Sequence, residues 1–403
     1  MSRAGGRIVA ITLVISAVLT FGAGVTGVFA QAPAPATEIV VGYAVPLSGG
    51  LSVVGRLADQ AHRLWIDHIN AQGGILVKEM GKKLPVRVIA YDSRSTTSDA
   101  QRLYEKLFTE DKVHFALGAW GSADAFALGA VTERYGYPFL PSAASAEGIY
   151  QRGFKTVFQL SPRPSETAEA IAGFLNSLRG KIKTVAVAQQ NYVYINDIMQ
   201  FLEPKLKSAG LEVIGKELFP RGSQEFTGVT TKIKAAGADA VLGMTVPPDM
   251  VPLAKQMELQ GVKPKLKYIF LGPVFDAWMK AMGEGAEGWI ESPGWTPGLQ
   301  FPGAEKFEKD FAAKYGISAS HDAAWAYAGD DMLRQAIEKA GTLDRKTVLE
   351  VLHRESFTTI NGTYKWDESG RSKAFVPFTQ VQGGKRVVVF PPTVARGEVV
   401  LGR

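Results

Sequence analysis

The chain has 403 residues and not one cysteine. Disulfides, thiolate chemistry, cysteine metal sites and lipid attachment at an N-terminal cysteine are therefore excluded. Histidine is scarce too. His62, His68, His114, His321 and His353 show no metal-ligand spacing, and they read mostly as surface or cap residues. The sequence thus calls for no metal and no cofactor. Neither sign of charge dominates: the net charge is +6, and removal of a leader carrying Arg3 and Arg7 would leave +4. No run of Lys and Arg interleaved with aromatics suggests nucleic acid. Beyond residues 8–21 no stretch is long and apolar enough to cross a bilayer, so no stable insertion of the mature chain is expected. The patterns G-x-x-x-x-G-K-S/T and G-x-S-x-G are absent. A G-x-G-x-x-G match at residues 283–288 follows a predicted helix and precedes a strand, the reverse of what a phosphate cradle needs. The acidic pair Asp330-Asp331 reads as a solvated part of a long helix. Nothing assembles an acid, a base and a nucleophile, so the chain does not read as an enzyme.

What is present begins with a leader. Residues 1–30 combine Arg3 and Arg7, an apolar run and the ending Val28-Phe29-Ala30, the pattern of a cleavable secretory signal. The arginines are not adjacent, which argues against a twin-arginine leader. Residues 31–37, QAPAPAT, form a Pro/Ala tether. An exported chain with no cysteine to lipidate suits the periplasm.

The stretch 113–145 organises the rest. It reads as a short apolar strand, a small-residue loop with Ser122 and Asp124, a helix, a second strand over 137–140 and another small-residue loop ending at Ser145. In a parallel βαβ unit both loops lie at the carboxyl edge of the strands, where ligands bind. Ser122 and Ser145 can donate hydroxyl hydrogen bonds there, and the helix opening near Ser122 adds a partial positive end. An ordinary capped turn is the plain alternative for these residues taken alone.

Around this unit run two strand–helix series. The first holds a strand at 38–46, a helix at 55–71 with Leu57, Ala61, Leu64, Trp65 and Ile69 on one face, a strand at 84–90 and a helix at 97–110. The second begins with a strand at 156–160 and alternates strands and helices to residue 291, its first helix opened by an imperfect capping box at Ser165. Helices over 304–315, 321–340 and 345–352 and late strands complete the chain. The expected fold is α/β, with two doubly wound parallel-sheet lobes. Lobe 1 comprises 38–160 plus 293–360, and lobe 2 comprises 161–292 plus 361–403, with three crossings near Ser161, Ser292 and Asn361 and a ligand cleft between the lobes.

The ordered set VVGYAVPLSG, HINAQGG, GAWGSA, PSAAS, NYVY and KWDESG resembles the exported binding proteins of branched-chain amino acid ABC transporters, which have the type I periplasmic binding fold. The resemblance spans residues 38–390. It implies that Ser122, Ala143 and Ser145 grip a ligand carboxylate and that a tyrosine of the second lobe closes over it; Tyr194 matches best, with Tyr192 the near alternative. Two departures stand out. Amino acid binders of this kind place a glutamate after the Gly-Pro of the second lobe to meet the ammonium group, where this chain has Val274; Asp276 lies two residues on. Near the ligand body the chain has Val54 and Val246, and it adds Trp120. An ammonium group buried without an acidic partner is costly. The expected ligand is thus a small carboxylate with an apolar or aromatic body, with a branched-chain amino acid as the close alternative. The expected partner is an ABC transporter membrane permease. A periplasmic sensor module of the same fold is the second reading.

Overall fold

The computed structural model describes residues 36–402; the leader and most of the tether expected over 1–37 lie outside the described residues. The first series contains β1 (Ile39–Val45), α1 (Ser52–Ala71), β2 (Ile75–Val77), β3 (Lys82–Leu84), β4 (Val86–Asp92), α2 (Thr97–Thr109), β5 (Phe115–Ala116) and α3 (Ser122–Tyr135). The second contains α4 (Pro164–Ser177), β6 (Thr184–Asn191), α5 (Val193–Ser208), β7 (Glu212–Pro220), α6 (Thr227–Ala236), β8 (Ala240–Met244), α7 (Met250–Leu259), β9 (Leu266–Ile269), α8 (Asp276–Met282) and β10 (Trp289–Glu291). The tail adds α9 (Ala304–Tyr315), α10 (His321–Ala340), α11 (Arg345–Arg354), the hairpin β11 (Phe357–Thr359) and β12 (Gly362–Tyr364), and the hairpin β13 (Phe378–Gln382) and β14 (Lys385–Phe390).

These elements build two α/β lobes. One sheet has the order β4-β1-β5, all parallel, with Ile39 beside Val86 and Val41 beside Phe115. The other has the order β14-β13-β10-β9-β8-β6-β7, parallel from β10 to β7, with β13 and β14 antiparallel at one edge. Strands covered on both faces need apolar residues at every position, not alternate ones. In β6, Val185 and Val187 enter one hydrophobic cluster with Ile171, Phe174 and Ile198, while Ala186 and Ala188 enter another with Leu253, Met257 and Trp278. Among the described residues no helix is long and apolar enough to cross a membrane.

Several local expectations are corrected. The strands expected at 137–140 and 156–160 reduce to a single parallel bridge between Phe139 and Val157. Pro138 and Pro141 flank Phe139 and have no N–H to offer a ladder. The cap of α4 sits earlier than expected: Pro164 occupies the first turn and Glu166 accepts the Arg163 N–H at 3.0 Å. Asp330 is not solvated, nor is His62 at the surface. The apolar face of α1 packs against α10, and within that contact His62 Nδ1 lies 2.6 Å from an Asp330 carboxylate oxygen, both side chains buried.

One further buried carboxylate governs a turn. Glu291, the last residue of β10, is fully buried; it accepts the Gly272 N–H at 3.1 Å and the Thr379 hydroxyl at 3.2 Å. Burial pushes its carboxyl up to about 7, against the pull of the Val274 and Gly272 amides and of Arg386. The native state therefore keeps this proton over a range in which the unfolded chain has lost it. The contribution to stability is present below pH 4.5 and disappears as pH rises to about 7, by about 3 kcal/mol. Urea unfolding of wild type and Glu291→Gln at pH 4.5 and 7.5 measures it. We expect the substitution to remove most of that downward slope; parallel pH profiles would refute the assignment.

Candidate ligand cleft

The first-lobe side of the site is set by backbone closeness. β5 is only two residues long, and the chain then runs past residue 140 so tightly that a Cβ on Gly118 would stand 2.1 Å from the Leu140 carbonyl oxygen. Gly121 follows at φ +94 and donates its N–H to Ser142 at 3.1 Å, while Trp120 forms a parallel bridge with Ser142. Ser122 is the first residue of α3. Its Oγ accepts two amides, Ser145 N–H at 3.0 Å and Ala146 N–H at 3.1 Å. A hydroxyl that accepts twice has its single proton left to donate. The structure thus commits the Ser145 amide to Ser122, and the Ser122 proton is the donor the pair can present.

Ala143, two residues before Ser145, holds φ +49, a left-handed conformation uncommon for a residue with a Cβ. Such strain persists only where the surroundings enforce it; here the neighbouring Ala144 carbonyl accepts the buried Tyr150 hydroxyl at 2.8 Å. The Ser145 hydroxyl pairs with that of Ser161 at 2.9 Å, where the chain leaves the first series. Ser122, Ala143 and Ser145 are thus one cluster.

The second lobe brings Tyr194, in the first turn of α5, to this cluster. Burial pushes its phenol up to about 12, while hydrogen bonding to Ser145 and Thr167 works the other way. Its ring lies 5.8 Å from that of Phe270. Tyr192 precedes α5 and is half-buried against the hydrophobic cluster, its ring under the Arg221 guanidinium at 4.7 Å. Val246 is half-buried and exchanges backbone hydrogen bonds with the Gln190 side chain, at 3.2 and 3.3 Å. Val54 is half-buried in the first turn of α1. Ser161 was expected from the sequence only as a crossing between the lobes, and Thr167 was not named as a site residue.

The acidic candidate after Pro273 is corrected. One Asp276 oxygen accepts the Ser318 N–H at 2.9 Å and the other pairs with Arg386. Burial opposes ionisation of Asp276, but the Ser318 amide and the Arg386 guanidinium outweigh it and hold its carboxyl below the usual range. Asp276 is thus already paired with a guanidinium and caps the Ser318 amide. Val274 is buried and offers no charge. Trp120 is half-buried, and its indole N–H donates to an Asp322 oxygen at 2.7 Å. Among the described residues no group of three or more His, Asp or Glu side chains could hold a metal. Ser122 offers a hydroxyl donor at a helix N-terminus, with Trp120 two residues before it, chemistry that suits holding an anion.

The model of the periplasmic binding protein family matches residues 38–385. A relative from Brucella suis, a Leu/Ile/Val-binding protein homolog, is 26% identical over 397 residues, covering 94% of this chain and 97% of its own length. Among solved structures, the branched-chain amino acid transporter substrate binding protein of Streptococcus pneumoniae in complex with isoleucine matches with TM-score 0.75 and 22% identity, over 88% of this chain and 100% of that one. A solute binding protein of an ABC transporter from R. palustris in complex with benzoate matches with TM-score 0.72 and 18% identity, over 91% and 97%. These relatives are binding proteins rather than enzymes. With a family match across most of its length and both sheets in place, the chain belongs to the periplasmic binding protein family.

Proposed function

We propose that this chain is an exported solute-binding protein that captures a small carboxylate between its two lobes and delivers it to an ABC transporter permease in the membrane. The observation that carries this reading is Ser122, whose Oγ accepts two amides and so keeps its proton free to donate, with Tyr194 close to the partnering Ser145. In the reading, lobe 1 is 38–160 plus 293–360, lobe 2 is 161–292 plus 361–403, and the crossings near Ser161, Ser292 and Asn361 act as the hinge. Packing of α10 on α1, and of β13 on β10, supports that division. The leader at 1–30 supports export to the periplasm. Contacts that form only when both lobes meet the ligand are what shift such a protein from open to closed.

A thermal-shift screen of amino acids and aliphatic and aromatic carboxylates identifies the ligand, because binding to the folded state raises the melting temperature. Calorimetry of Ser122→Ala with the best ligand then tests the grip. Loss of one charge-assisted hydrogen bond is expected to cost about 1.5–3 kcal/mol, or about ten- to a hundredfold in affinity. Unchanged affinity removes Ser122 from the site. For closure, small-angle scattering with and without that ligand is expected to show compaction in wild type and less of it in Tyr194→Ala. Equal compaction in both would take Tyr194 out of the closing contact.

A further inference from the structure

We propose that Asp322 is the acidic partner for an ammonium group on the ligand, so that the cleft takes a zwitterionic amino acid in preference to an amine-free acid. The inference rests on the reading of the interlobe cleft as the ligand site and adds the group that decides between its ligand classes.

The opening of α10, Ser320-His321-Asp322, is buried, with these residues 2%, 5% and 2% exposed. Each of the three keeps one buried polar atom without a hydrogen-bond partner: Ser320 Oγ, His321 Nδ1 and Asp322 Oδ2. Asp322 Oδ1 accepts from the Trp120 indole. Its Oδ2 is 3.5 Å from His321 Nε2, longer than a ring N–H hydrogen bond. Burial lowers the His321 pKa, against the opposing pull of Asp322, so the imidazole is not a cation near neutrality. The carboxylate is thus enclosed with one donor and no full positive charge beside it. A buried charge in that condition is costly, and an entering ammonium group would supply both charge and up to three donors.

The niche lies where the ligand would. Trp120 stands two residues before Ser122. The His321 ring is 5.8 Å from Phe275 of the second lobe, and the Ser318 amide reaches Asp276 of that lobe. An amine-free carboxylate held by Ser122 would add a second negative charge near Asp322, with nothing to neutralise either; a zwitterion brings its own compensation. The expectation of an amine-free ligand rested on Val274, and the structure supplies a carboxylate from a helix 48 positions further on.

The test compares amino acids with their amine-free counterparts. Wild type is screened by thermal shift with a panel of amino acids, each paired with its amine-free acid, such as L-leucine with 4-methylpentanoate; hits are titrated by calorimetry. We expect amino acids to bind and their amine-free partners to bind at least about 30-fold more weakly, as the loss of one member of a buried charge pair implies. Asp322→Asn, which keeps an acceptor for Trp120, is expected to lower amino acid affinity by a similar factor and to leave the amine-free acid unchanged or tighter. Hits confined to amine-free acids, or an amino acid bound equally well by Asp322→Asn, would overturn the role of Asp322. Ser122→Ala separates the two readings. If it weakens every hit while Asp322→Asn does not, the cleft stands and Asp322 falls. If no compound binds, or hits are insensitive to both substitutions, the cleft reading falls and takes this inference with it.

Discussion

The buried contact between α1 and α10 is the constraint on which the first lobe and its side of the cleft depend. His62 and Asp330 are 268 positions apart in the chain, yet their side chains meet at 2.6 Å inside that contact. Breaking such a pair by removing one partner leaves a buried polar group uncompensated, which costs far more than the pair contributes. The pairing therefore acts mainly as a register pin. It allows α10 to dock in one position along α1, with the Tyr43 ring of β1 4.5 Å from the same imidazole and tilted by 34°. Because α10 is a rigid rod, fixing Asp330 near its middle also fixes Ser320, His321 and Asp322 at its opening.

The cleft owes its chemistry to strand ends. Parallel strands deliver their following loops to one edge of each sheet, which is where the Gly118–Ser122 turn after β5 and the Tyr192–Tyr194 entry of α5 after β6 lie. Tight backbone approach at Gly118 and the left-handed Ala143 leave little freedom in the first-lobe loop. Ser122 then locks it with two amide hydrogen bonds. Such preorganisation lowers the ordering cost of binding. In the second series the enclosed Glu291 anchors the Gly272 turn, and Asp276, paired with Arg386, accepts the Ser318 amide. The two carboxylates differ in their partners: Asp276 is paired with Arg386, whereas Asp322 accepts from the neutral Trp120 indole.

The fold class, the two-lobe series and the inward face of α1 were legible in the sequence because each rests on local periodicity. Leu57, Ala61, Leu64, Trp65 and Ile69 repeat at helical spacing, and all are buried. Ser122 and Ser145 were legible as neighbours because both follow consecutive predicted strands, and parallel strands bring their ends together. The strand runs at 137–140 and 156–160 misled because apolar composition does not register the missing amides of Pro138 and Pro141. Asp276 and Asp330 misled for a different reason: a carboxylate reads as free or solvated until its partner is known, and Arg386 and His62 lie more than a hundred positions away.

By itself, then, the sequence determined the layered α/β architecture, the family resemblance and the hydroxyl-bearing loops, since hydrophobic period and turn chemistry act over a few residues. Only the tertiary structure decided which charges are satisfied. Electrostatic pairing depends on distance and burial in space, and neither His62 with Asp330, Arg386 with Asp276, nor Trp120 with Asp322 is close along the chain.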